Sequence, residues 1–139
     1  MKKFVLAAGI AWSGLFGAEL VWQKDIDTAF EIAQKEHRNV MVMVESRQCR
    51  WCKKMEHETL ADENVQERLA VYSLVKVSRE EDRIIDQLPM IHGVPTIFFM
   101  TPEKKILQKV VGYFNVQDFL SYMNDVERAQ SLPANIEQR

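Results

Sequence analysis

Both cysteines of this 139-residue chain fall in one short stretch, as Cys49 and Cys52 with Arg50 and Trp51 between them. Thiols at that spacing have three chemical uses: a reversible disulfide, half of a zinc site, or a structural staple. The staple is the weakest, because closing so short a loop removes little entropy from the unfolded chain. A helix beginning at Cys49 would set its sulfur on unpaired backbone N–H groups at the positive end of the helix dipole. Cys52 would lie one turn on along the same face, so the two sulfurs could meet. Arg47, Arg50, Lys53 and Lys54 add positive charge, set against Glu45, Glu56 and Glu58. Such surroundings draw a cysteine pKa from about 8.5 to about 3.5–7.5. The thiolate is the attacking species in disulfide exchange, so Cys49 is expected as the nucleophile and Cys52 as the resolving thiol.

A zinc site would draw on His57 and His92 as further ligands. A helical Cys52 and His57 are five residues apart and on different faces, which leaves His92 as the third ligand. No metal is therefore expected, and disulfide exchange needs no bound cofactor. His92 reads instead as a loop residue on the rim. Arg50 and Trp51 occupy the outward middle of the Cys-x-x-Cys turn and are expected to face a substrate. Glu45 and Lys76, at the ends of two strands, are candidates for a proton relay to the cysteines. Met41, Met43, Met100 and Met123 read as packing.

The elements that must position these groups follow from periodicity. Residues 19–22, "ELVW", read as a first strand, and residues 25–38 as a helix with Ile26, Phe30 and Ala33 on one face and Asp25 or Asp27 as its cap. "NVMVMV", residues 39–44, is apolar throughout and too short for a typical helix, which suits a central strand covered on both faces. A helix runs on from Cys49, with a break near Thr59 and Asp62 capping its continuation to Leu69. Residues 71–77 read as a strand and residues 79–88 as a helix. Residues 95–100 and 105–111 read as a hairpin joined by "TPEKK". Val116, Phe119, Leu120 and Met123 define the last helix, and residues 128–139 read as a polar tail. This order predicts one α/β domain over residues 19–127, with a mixed sheet of four to five strands flanked by helices.

The first residues, "MKKFVLAAGIAWSGLFGA", resemble a secretory signal peptide: two lysines, an apolar run from Phe4, and small residues at Gly14, Gly17 and Ala18. Cleavage is expected near Gly17 or Ala18, and an uncleaved N-terminal anchor is the alternative. The expected location is the periplasm or the exterior, where a dithiol holds a disulfide unless something reduces it. Composition, at 47% hydrophobic and 27% charged residues, is that of a folded domain, and a formal charge of −2 gives no electrostatic case for nucleic-acid binding.

A strand leading into Cys-x-x-Cys on a helix, followed by "HGVPT" before a hairpin, is similar to the thioredoxin family. "CRWCKKMEHETLADENVQ" resembles exported thioredoxin-like proteins in which Cys-x-x-Cys-Lys-x-Met-Glu precedes an acidic helix. The resemblance implies a thioredoxin fold, attack by Cys49, resolution by Cys52, and a cis Val94–Pro95 bond whose backbone holds the substrate chain. It further implies a monomeric thiol–disulfide oxidoreductase, more a reductase than an oxidase, because dedicated oxidases carry a large helical insertion. Its partners would be proteins with disulfides or thiols and a membrane electron-transfer protein. Two positions depart from the pattern: Met43 stands where thioredoxin has a buried aspartate, and Gln48 where it has a tryptophan. The competing reading is a non-enzymatic binding module of the same fold, using the groove or a metal on the cysteines.

Overall fold

The computed structural model describes residues 19–132. The signal-peptide reading of residues 1–18, and residues 133–139 of the tail, lie outside the described residues. In chain order the elements are β1 (Trp22–Gln23), α1 (Ile26–Glu36), β2 (Val40–Glu45) and α2 (Arg50–Lys54), which continues into a π-helical turn at Met55–Thr59. Then come α3 (Glu63–Leu69), β3 (Ser73–Ser78), α4 (Asp82–Ile85), β4 (Thr96–Met100), β5 (Ile106–Val111) and α5 (Val116–Ser131). The five strands form one sheet in the order β1-β3-β2-β4-β5. The first three are parallel, and β4 and β5 are antiparallel to their neighbours.

Strand β2 is the centre of the sheet, and its alternation divides the core. Val40, Val42 and Val44 pack with Val75, Val77 and Phe98 against Ile26, Ala29, Phe30 and Ala33 of α1. Met41 and Met43 pack with Leu74, Ile97 and Phe99 on the opposite face, against Met55, Leu69, Phe119 and Met123. The methionines thus fill the layer between the sheet and α2, α3 and α5. Both cysteines belong to that second layer. The side-chain period of a strand, two residues, puts successive apolar residues on opposite faces, so an unbroken apolar run is what a doubly covered strand requires.

The caps follow the sequence. Asp25 accepts the Thr28 N–H at 2.7 Å, and Asp62 accepts the N–H groups of Asn64 and Val65 at 2.9 and 3.2 Å. Four boundaries differ from expectation. Only Trp22 and Gln23 pair in β1. The helix expected over residues 79–88 is a single turn, because Pro89 disfavours helical geometry at Leu88 and the chain closes with i to i−3 bonds, Gln87 to Ile84 and Leu88 to Ile85. Lys76 is not at the end of its strand, since β3 runs two residues further to Ser78. Helix α5 runs to Ser131, so the first residues assigned to the tail are helical.

Candidate active site

Strand β2 ends at Glu45, and Ser46 to Gln48 carry the chain to Cys49, the N-cap of α2. Cys49 takes extended backbone angles, and its sulfur accepts the Cys52 N–H at 3.0 Å. That contact is the helix-start stabilisation the spacing implies: one orphan backbone donor is satisfied by the sulfur rather than by a hydroxyl or carboxylate. The two cysteines form a disulfide, with Cα atoms 5.2 Å apart. Both are buried, Cys49 at 7% exposure and Cys52 at 2%, so the first cysteine is the more exposed residue.

Beside the disulfide lies a cleft of about 300 Å³ bordered by both cysteines, by Arg47 and Lys53, and by the carboxylates of Glu45, Glu56 and Glu81. Glu45 and Glu56 stand together in it. Burial pushes the Glu45 carboxyl above its usual range, the hydrogen bond and charge of Glu56 push it further, and the ammonium of Lys76 acts in the opposite sense. Lys76 pairs with Glu56 at 3.0 Å and lies over the Trp22 ring at 4.4 Å. Of the two relay candidates, Glu45 borders the cleft directly, whereas Lys76 reaches it through Glu56. Sequence reasoning counted Glu56 only as a countercharge, although it lies four residues after Cys52, one turn further along the same helix face.

The other flank is aromatic. Trp51 is 46% exposed, and its ring centroid is 5.8 Å from that of Tyr113. Arg50 lies over the Trp51 ring at 5.3 Å, and the Lys54 ammonium lies 5.4 Å from Trp51 and 4.7 Å from Tyr113. Tyr113 donates to Glu58 at 2.7 Å, which also sits 4.0 Å from Lys54. Tyr113 was absent from the sequence-based set, because nothing local to Cys49 points to a residue after β5, and Glu58 entered it only as a countercharge. His57 and His92 are exposed, and among the described residues no group of three or more His, Cys, Asp and Glu side chains is placed to hold a metal.

Pro95 precedes β4, and the Val94–Pro95 peptide bond is cis. Since Val44 pairs with Thr96, Pro95 lies beside the end of β2 from which the Cys49 loop departs. The Pro95 carbonyl accepts the Gly112 N–H at 2.8 Å. Val94 lies outside the ladder and packs against the layer that contains the cysteines.

A sheet of this order with a disulfide-forming Cys-x-x-Cys pair capping the helix after its central strand is a thioredoxin fold. Residues 26–127 match the thioredoxin-like domain family, and the chain belongs to it. It is 32% identical over 104 residues to the thiol:disulfide interchange protein DsbD of Yersinia enterocolitica, covering 70% of this chain and 18% of that protein. The chain spans less than a fifth of the length of the curated relatives it matches. Among solved structures it is similar to a Thermus thermophilus thioredoxin, with TM-score 0.62, 26% identity, and 72% of this chain and 82% of that one covered. A DsbH oxidoreductase superposes over 96% of both chains with TM-score 0.65 and 19% identity, a likeness of fold.

Proposed function

We propose that this protein is an exported reductase of protein disulfides. The observation that carries the reading is the placement of Cys49: its sulfur caps a helix and accepts a backbone N–H, and the residue is the more exposed of the pair. In the reductive direction the Cys49 thiolate attacks one sulfur of a client disulfide, forming a mixed disulfide and releasing the client's other sulfur as a thiolate. The Cys52 thiolate then attacks the Cys49 sulfur, closing the protein disulfide and freeing the second client thiolate. Two electrons pass to the client. The Glu45–Glu56 pair takes the Cys52 proton, with Lys76 holding Glu56, in place of the aspartate that Met43 replaces. The released client thiolates are protonated in turn.

Trp51 and Arg50 face the client, and the Val94 backbone, left outside the ladder, pairs with its extended chain as an added strand beside Pro95. Export rests on the lysines and apolar run of residues 1–18. The reductive direction rests on the thioredoxin-like plan, whose described residues hold no helical insertion beyond the helices that flank the sheet. A membrane protein that supplies electrons would re-reduce the pair, and the working unit would be a monomer.

The test is insulin reduction by the full chain with dithiothreitol as electron source. Turnover is expected from the native protein and none from Cys49→Ser; equal turnover by both would remove the assigned nucleophile. Export is checked by the mass of the expressed protein. A mature N-terminus near Ala18 or Glu19 supports it, and retention of residues 1–18 in the membrane fraction identifies the anchor instead.

A further inference from the structure

The cations around the cysteines are not alike. Lys54 has Glu58 at 4.0 Å, and Lys76 has Glu56 at 3.0 Å. Arg47, Arg50 and Lys53 are exposed, and among the described residues none of them forms an ion pair. Glu80 accepts the Arg47 backbone N–H at 3.4 Å, and the carboxylates of Glu45, Glu56 and Glu81 line the cleft that Arg47 and Lys53 border, while both cations keep their exposure to solvent. Arg47 and Lys53 border the cleft at the disulfide, while Arg50 extends over the Trp51 ring on the opposite flank. No acidic residue occurs between Ser46 and Met55, although the chain as a whole carries a formal charge of −2. Arg47, Arg50 and Lys53 thus form an exposed collar, outside any ion pair, on the turn that carries the one sulfur a client must reach, in a protein whose overall charge has the opposite sign.

Such a collar steers an anionic partner during encounter. We propose that Arg47, Arg50 and Lys53 select client polypeptides with Asp or Glu flanking the reacting cysteine. This rests on the oxidoreductase reading and gives it a substrate class. Charge at the site also favours the Cys49 thiolate, but that effect speeds exchange with every client equally. Selection appears only in ratios between clients. At a separation of about 7 Å in water, one charge pair changes an association constant about threefold, so two flanking carboxylates amount to about tenfold. Ionic strength near 0.5 M shrinks the screening length to a few ångströms and removes most of it.

The experiment uses the reduced full chain and three peptides, each with one cysteine blocked as its mixed disulfide with mercaptoethanol. The residues flanking that cysteine are glutamates, glutamines or lysines. Second-order rates are divided by those of dithiothreitol with the same peptide, which cancels the intrinsic reactivity of each disulfide. The expected order is glutamate over glutamine by about tenfold and lysine slowest, collapsing to within about twofold at high salt. The double variant Arg50→Glu, Lys53→Glu should reverse the order. A native preference that is absent or independent of salt overturns the proposal, as does a double variant that slows all three peptides equally. Should the double variant fail to fold, Lys53→Gln and the salt dependence of the native protein decide the matter. Failure to react with any peptide or with insulin would instead defeat the oxidoreductase reading and this inference with it.

Discussion

Reducing the Cys49–Cys52 disulfide and alkylating the thiols tests the division of roles between them. Cys49 caps the helix, accepts the Cys52 N–H, and has Arg47, Arg50 and Lys53 around it. Such surroundings favour the thiolate of Cys49. Cys52 lies deeper, beside the Cys49 thiolate and the Glu45–Glu56 carboxylates. Burial and like charge both disfavour its thiolate. Each tenfold in the ratio of thiolate fractions is offset about threefold by the lower nucleophilicity of the more acidic thiol, at a slope of about 0.45, so about threefold of it survives in the rate. Mass-spectrometric mapping after a limiting dose of iodoacetamide at pH 7 should therefore find Cys49 modified about threefold faster or more. Ultraviolet thiolate absorbance should show its midpoint below about 8.5. Equal rates, modification of Cys52 first, or a Cys49 midpoint at or above the free-thiol value would refute the reasoning, because each removes the electrostatic asymmetry the geometry implies.

Cys52→Ser should accumulate mixed disulfides between Cys49 and client proteins, seen as dithiothreitol-sensitive adducts on non-reducing gels, and Cys49→Ser should not; equal trapping by both would dissolve the assignment. Glu45→Gln tests the acidic pair through stability. The Glu45 carboxyl is raised in the folded state, so the folded protein binds that proton more tightly. The resulting stability is present below the unfolded value near 4.5 and is lost as pH rises through the folded one. The glutamine variant should therefore gain on the native protein between pH 4 and pH 7 in urea titrations at the two pH values. A gain confined to low pH would contradict the sign. Phe98→Ala, on the sheet face away from the cysteines, should cost about 3–5 kcal/mol in the same titration while preserving the selectivity of alkylation for Cys49. A cost below about 1 kcal/mol would mean that this layer is not the core it looks to be.

What the sequence made legible and what it hid divide along a physical line. "NVMVMV" was readable as a doubly covered strand because period two is a local property, and the valines and methionines do part to opposite faces. The Asp25 and Asp62 caps are local too, each closing within three residues of itself. The single turn at α4 was obscured because apolar spacing at Ile84, Ile85 and Leu88 suits a helix, while Pro89 limits how far one can run. The acidic pair was hidden for a different reason. A search for the missing aspartate by its fixed offset from Cys49 ends at Met43, which is buried and apolar. The register of the sheet pairs Met43 with Lys76, so a cation stands on the neighbouring strand where an acid would have stood on this one. That cation holds Glu56 from the helix, and Glu56 in turn meets Glu45 from the end of β2. Three residues distant in sequence thus bring carboxylates to the same side of Cys52, and only the parallel neighbour of β2 shows that they converge. In the proposed relay the acid has moved and its task has not: a proton acceptor must reach the resolving sulfur from the buried side, and any element bordering that cleft can supply it.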